Sequence, residues 1–253
     1  MWNLPHSTCE NIWKKQCSEW KKIEKNNNKE DCIMERDTVL NTIYQNKIIA
    51  IIRGVDSGNI EAVIQALLDG GVNMAEITFD HTNETKRKET LKSLQKVRKR
   101  FGDKICLGAG TVLTVEDVED AHLAGADYVI SPNTDEVVIR KTRELKMVSM
   151  PGAFSPSEIV AAYQAGADIV KLFPAALMGV NYIKALRGPL PHIPMSAVGG
   201  ITPESIEVFA KAGISCFGIG SNLVSAKKVE MGNFESIVNS AREFYKAVEA
   251  MEI

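Results

Sequence analysis

The sequence predicts an α/β chain closed as a (β/α)8 TIM barrel with an extra N-terminal helix, and three observations carry that expectation. Eight short apolar runs alternate with segments of helix length from residue 34 onward. Four of those segments stop on the same signal, Asp69-Gly70-Gly71, Ala124-Gly125-Ala126, Ala165-Gly166-Ala167 and Ala212-Gly213-Ile214, where a helix C-terminus takes a left-handed residue. No G-x-G-x-x-G follows the first run, which argues against the doubly wound open sheet, the runner-up. Parallel strands joined by right-handed crossovers of this length close most simply into a barrel.

The elements follow from hydrophobic period and end signals. Residues 38–45 read as a helix before the first strand. Strands are expected at 48–53, 74–79, 105–108, 128–131, 147–151, 169–173, 195–198 and 217–220, each short and bounded by Gly, Pro or polar residues. Helical spacing of apolar positions marks 60–68, 90–100, 115–124, 156–165, 182–186 and 203–212. The roughly 220 residues from Met34 onward suffice for one such barrel.

Composition narrows the function. The 253 residues are 45% hydrophobic and 25% charged, with 30 Lys+Arg against 32 Asp+Glu, so no basic excess exists to neutralise nucleic-acid phosphates. No apolar run reaches the ~18 residues that span a bilayer. The five cysteines are odd in number and contain no C-x-x-C pair, which disfavours a disulfide framework or zinc ribbon. Lysines 14, 15, 21 and 22 interrupt any secretory apolar core, so the cytoplasm is the expected compartment. Residues 1–33 differ from the rest, holding all three tryptophans and three of the five cysteines. They read as an extension outside the barrel domain of 34–253, with Met34 a natural start; the other reading is a docking helix with Trp13, Cys17, Trp20 and Ile23 on one side.

Chemistry on a barrel gathers at the C-terminal strand ends. The residues there are Arg53, Glu76 with Thr78, Gly110 with Thr111, Ser131 with Pro132, Pro151 with Gly152, Lys171, Gly199 with Gly200, and Gly220 with Ser221. Lys171 is the most informative, because Asp168-Ile169-Val170-Lys171-Leu172-Phe173-Pro174 embeds one lysine in an apolar strand. Burial there disfavours the ammonium, and the neutral amine becomes a nucleophile able to form a Schiff base with a carbonyl. A lysine snorkelling at a strand end, or paired with Glu76, is the blander reading. Glu76, in the equally apolar Met74-Ala75-Glu76-Ile77-Thr78-Phe79, suits a proton shuttle beside that amine or a structural ion pair. Gly199-Gly200 and Gly220-Ser221 stand on the loops where barrels commonly seat a phosphate. The four histidines are scattered, and Asp80-His81 with Glu84, the one acidic cluster around a histidine, reads as a solvated loop ahead of a helix rather than a metal site.

Taken in order, Ala50-Ile51-Ile52-Arg53, Glu76-Ile77-Thr78, Gly108-Ala109-Gly110-Thr111-Val112-Leu113, Ser131-Pro132, Pro151-Gly152, Lys171-Leu172-Phe173-Pro174-Ala175, Gly199-Gly200-Ile201 and Gly220-Ser221 resemble the class I 2-keto-3-deoxy-6-phosphogluconate (KDPG) aldolases, which overlap with the 4-hydroxy-2-oxoglutarate (KHG) aldolases. The similarity runs from Thr38 to the C-terminus. The resemblance implies a (β/α)8 barrel, a homotrimer, no metal or organic cofactor, and a lysine imine with pyruvate. Its substrates would be small molecules, a phosphorylated keto-deoxy sugar acid or 4-hydroxy-2-oxoglutarate, cleaved reversibly to pyruvate and an aldehyde (glyceraldehyde 3-phosphate or glyoxylate); no nucleic acid or membrane takes part. Residue by residue, it implies that Lys171 forms the imine, that Glu76 moves protons through water, and that Thr111 and Pro132 border the pyruvyl group. Phe173 would shape the pocket, Arg53 would add positive charge near substrate anions, and Gly199, Gly200 and Gly220 with Ser221 would hold the phosphate.

Departures from the family pattern cluster at substrate recognition. Many members carry an arginine four residues after the glutamate, where this chain has Asp80; many have Thr before Gly-Gly and Gly after Ser-Pro, where it has Val198 and Asn133. Two other functions fit the same residues: a phosphate-binding barrel isomerase or epimerase with Lys171 only electrostatic, and a noncatalytic sugar-acid-phosphate binding protein.

Overall fold

The structure, a computed structural model, describes residues 34–251. The readings of residues 1–33, extension or docking helix, lie outside the described residues. Helix α1 (Arg36–Asn46) leads into β1 (Ile48–Ile52), followed by α2 (Ile60–Asp69), β2 (Met74–Thr78), α3 (Glu84–Phe101), a 3-10 turn (Gly102–Lys104) and β3 (Cys106–Gly110). Then come α4 (Val115–Leu123), β4 (Tyr128–Ile130), α5 (Glu136–Glu144), β5 (Val148–Met150), β6 (Gly152–Ala153), α6 (Pro156–Ala165) and β7 (Val170–Leu172). The chain continues through α7 (Ala175–Arg187), β8 (Met195–Val198), α8 (Pro203–Lys211), β9 (Cys216–Ile219), α9 (Ala226–Glu230) and α10 (Glu235–Glu249). None of the described helices is long and apolar enough to cross a membrane.

Among the described residues the strands pair in parallel in the order β5-β4-β3-β2-β1-β9-β8-β7-β6. The two ends of that order are one run of chain interrupted at Pro151, which has no N–H for a ladder bond. β5 pairs with β4 and β6 with β7, and the Pro151 carbonyl itself accepts the Lys171 N–H at 2.8 Å, so the sheet closes. The expected single strand at 147–151 is therefore extended and divided, and the expected (β/α)8 barrel stands.

Two helices are longer than their apolar period shows. α3 begins at Glu84 rather than residue 90, because the Asn83 side chain caps it by accepting the Lys86 N–H and its first turns are polar and exposed. α7 spans 175–187 but is broken at Gly179 (φ +74°), which hides the period of its first half. Helices α5, α9 and α10 complete the set; α5 buries only Val138, Ile139 and Thr142 amid charged residues, too narrow a stripe to read in sequence. α10 buries Ile237, Ala241 and Phe244 and lies so close to the end of α2 that a Cβ on Gly70 would stand 2.4 Å from that of Ala241.

The wall separates two apolar clusters, as alternation of side chains along a strand requires. Ile48, Ala50, Ile52, Ala75, Ile77, Leu107, Val170 and Leu172 join the helices outside; Ile49, Met74, Cys106, Tyr128, Val148 and Ile169 fill the inside. Val39 and Ile43 of α1 belong to the inner cluster, so the extra helix plugs the N-terminal end of the barrel. Two residues beyond Met74 and Ile169 on their strands, Glu76 and Lys171 share the inward face.

The four glycine stops hold. Gly71, Gly125, Gly166 and Gly213 have φ of +89°, +89°, +107° and +98°. Two of them open the same buried device, Ala-Gly-Ala-Asp. Asp127 accepts the Leu107 N–H of the preceding strand and pairs with Arg98 of α3; Asp168 accepts the Ser149 N–H and pairs with Arg143 of α5. Each arginine stem also covers its glycine. These pairs fix successive strands in register at the end of the barrel opposite the cavity.

Candidate active site

A cavity of ≈ 400 Å³ opens at the C-terminal strand ends, lined by all ten residues singled out in the sequence: Arg53, Glu76, Thr111, Pro132, Lys171, Phe173, Gly199, Gly200, Gly220 and Ser221. Val198, noted in the sequence as a departure at substrate recognition, also lines it, as do Ile51, Ile201, Gly218 and Asn222, which were not anticipated as site residues. Ile51 and Ile201 carry no signal that separates them from core; Asn222 directly follows Gly220-Ser221 and was recoverable from that position. Thr78 and Ser131, polar residues at strand ends, turn to structure instead: their hydroxyls donate to the carbonyls of Ile52 and Val112.

Of the ionisable residues lining the cavity, Lys171 and Glu76 are the buried ones, 7% and 1% exposed. Burial pushes the Lys171 ammonium below the usual lysine range, assisted by the positive charge of Arg53 and opposed by Glu76. Burial pushes the Glu76 carboxyl up, opposed by Lys171 and Arg53. Desolvation thus outweighs their mutual attraction on both sides, which leaves an amine and a carboxylate each closer to neutrality. Glu76 Oε2 has no hydrogen-bond partner. An acceptor without a protein partner beside a lysine pushed down by burial is an arrangement that can pass a proton. The Lys171 Nζ lies 5.1 Å from the centre of the Phe173 ring, whose face closes one side of the amine.

Glycines make the room. A Cβ on Gly110 would stand 1.8 Å from Glu76 Oε1, and one on Gly108 would stand 2.0 Å from the ring of buried Tyr128. Tyr128 in turn donates its hydroxyl to the Ala75 carbonyl at 2.8 Å, pinning the peptide before Glu76.

On the rim, Arg53 reaches the Thr111 hydroxyl at 3.3 Å. Thr111 is left-handed, with φ +56°, a conformation that costs a β-branched residue about 1–3 kcal/mol and persists only where neighbours hold it. Gly199 and Gly200 have φ of +94° and +76°, and a Cβ on Gly200 would meet that of Ala176 at 2.6 Å, so side chains are excluded there by conformation and space together. Gly220 faces open space within 4 Å, leaving backbone accessible to a ligand. Asn222 ties the two glycine loops together by donating to the Ile201 carbonyl at 2.8 Å.

Asp80 is not part of the lining. Its carboxylate accepts from the Thr82 N–H and hydroxyl, which holds it below the usual carboxylate range. The departure from arginine therefore removes a cation from this region without placing an anion in the cavity. Glu84 opens α3, and among the described residues no group of three or more His, Cys, Asp or Glu is arranged to hold a metal ion.

The family model for KDPG and KHG aldolase matches residues 27–240. Over 201 residues the chain is 34% identical to the 2-dehydro-3-deoxy-6-phosphogalactonate aldolase of Escherichia coli K12, covering 79% of this chain and 93% of that one. Over 207 residues it is 30% identical to the 2-dehydro-3-deoxy-phosphogluconate aldolase of Haemophilus influenzae, covering 81% and 94%. Among solved structures, the KDPG aldolase of Legionella pneumophila, with pyruvate captured as a covalent carbinolamine intermediate, superposes with a TM-score of 0.71 at 26% identity, covering 79% of this chain and 95% of that one.

Proposed function

The chain belongs to the KDPG and KHG aldolase family, and on that premise we propose that Lys171 is the imine-forming lysine and Glu76 the proton carrier of its reaction. The enzyme is a class I aldolase that cleaves a 2-keto-3-deoxy sugar-acid phosphate, or 4-hydroxy-2-oxoglutarate, to pyruvate and an aldehyde. The observation that carries the residue assignment is the pair of opposed perturbations in one cavity: a buried lysine pushed down beside a buried glutamate pushed up and left with an unpartnered oxygen.

The steps follow from that pair. The neutral Lys171 amine adds to the C2 carbonyl, and the carbinolamine hydroxyl leaves as water with the proton of the neutral Glu76 carboxyl, giving a protonated imine beside a Glu76 carboxylate. Glu76, through a water, takes the C4 hydroxyl proton; the C3–C4 electron pair flows into the imine, the aldehyde departs, and an enamine remains. The same carboxyl returns its proton to C3, and hydrolysis of the protonated imine frees pyruvate and the neutral Lys171 amine, the proton released going back to Glu76. The imine supplies the electron sink. Arg53, the other cation lining the cavity, holds the carboxylate of the pyruvyl half, which Thr111 and Pro132 border. Phe173 shapes the pocket, and Gly199, Gly200, Gly220 and Ser221 hold the phosphate.

For the sugar acid itself we favour the galactonate epimer. That reading is supported by the greater identity to the phosphogalactonate enzyme than to the phosphogluconate one and by Asp80 and Val198, which depart from the pattern of many KDPG enzymes. A homotrimer in the cytoplasm completes the proposal, supported by family resemblance; light scattering at three times the chain mass checks the first part. Pyruvate release from the two 2-dehydro-3-deoxy-6-phospho epimers tests the function. Turnover of either, abolished in Lys171→Ala, supports it, a higher kcat/KM for the galactonate supports the epimer assignment, and turnover that survives Lys171→Ala contradicts the role of the lysine.

A further inference from the structure

His81 does not line the cavity, yet it holds a residue that does. Its Nε2 lies 2.8 Å from the Thr111 carbonyl, and because a carbonyl only accepts, Nε2 carries the hydrogen. The ring is itself fixed. It stacks on Phe79 with centroids 5.9 Å apart and planes at 29°, and the Arg87 guanidinium lies 5.5 Å from the centre of the Phe79 ring. Arg87 is tied to Asp117 and Asp120, and Asp117 also takes the N–H groups of Leu113 and Thr114 and sits 3.7 Å from His81 Nε2. The turn after β3 is thereby held from its carbonyl side by an imidazole and from its amide side by a buried acid.

What this assembly secures is Thr111, whose left-handed backbone needs support and whose hydroxyl meets Arg53. We propose that His81 is a positioning residue for keto-acid binding: its hydrogen bond to the Thr111 carbonyl keeps Thr111 left-handed, and Thr111 in turn aims Arg53 at the substrate carboxylate. The loop after β2 that forgoes a cation at Asp80 thus secures, one residue later, the cation that remains. This inference rests on the pyruvate-imine reading of Lys171 and Arg53.

The test is the pyruvate dependence of borohydride trapping on Lys171 in the wild type, His81→Ala and His81→Gln. Removing one supporting hydrogen bond should raise the pyruvate concentration for half-maximal trapping about tenfold in His81→Ala, while the maximal trapping rate stays within about twofold. His81→Gln, which keeps an N–H donor, should recover most of that loss. A half-saturation in His81→Ala within about twofold of the wild type overturns the proposal, as does a fall in maximal rate that glutamine leaves uncorrected. Absence of any adduct on the wild type overturns the underlying reading of Lys171 instead.

Discussion

The carboxylate of Glu76 occupies the space that a side chain at Gly110 would need: a Cβ built there stands 1.8 Å from Oε1, and Gly110 is the register partner of Thr78, two residues along β2. Gly110→Ala should therefore fold and yet push the carboxylate from its place, lowering kcat by about 10²-fold, the range for losing general acid–base work. Gly108→Ala should instead destabilise the chain by about 1–3 kcal/mol or more, because its Cβ would collide with a Tyr128 ring that has nowhere to go. Steady-state kinetics and urea unfolding of the two variants separate the effects.

The lysine titration should move in opposite directions in two variants. Burial lowers the Lys171 pKa most; Glu76 raises it by less, and Arg53 adds a smaller lowering. Glu76→Gln removes the raising charge, so the free amine persists to lower pH and the midpoint of initial imine trapping shifts down, even as turnover collapses. Arg53→Gln removes a repelling cation and shifts the midpoint up. Rapid-mix borohydride trapping across pH measures both, and shifts of the same sign would contradict the electrostatics.

Much of this was legible in sequence, for physical reasons that differ by residue. Lys171 and Glu76 stood out because a charge inside an apolar strand is costly, and the helix stops stood out because a left-handed residue favours glycine. Lys47 and Lys146 take the same left-handed role without glycine (φ +59° and +60°), and α5, which ends just before Lys146, went unread. Thr111 stood out at a strand end and took its role from the resemblance, but its backbone conformation and its link to His81 depend on a contact between loops 30 residues apart, which no local pattern encodes. The split of the fifth strand is visible as Pro151; that it closes the ring depends on the partners of β5 and β6.

The buried pair at the opposite end of the barrel should dominate stability. Arg98 and Asp127 are 6% and 0% exposed in their side chains, and Asp127 also holds the Leu107 N–H. Arg98→Ala and Asp127→Ala should each cost about 3–5 kcal/mol, since each leaves a buried charge unpaired. The double variant should cost less than the sum. Denaturant midpoints of the four proteins check this, and additivity would contradict it.

Activity should survive exhaustive treatment with EDTA, because the protonated imine supplies the electron sink that a divalent cation would otherwise provide. Loss of turnover restored by a metal would contradict the imine route.

The most direct test is mass spectrometry of the protein incubated with pyruvate and borohydride, beside Lys171→Ala. A reduced pyruvate adduct mapped to Lys171 and missing from the variant is the predicted result. No adduct, or one on another lysine, under conditions that trap a known Schiff-base aldolase would contradict the assignment.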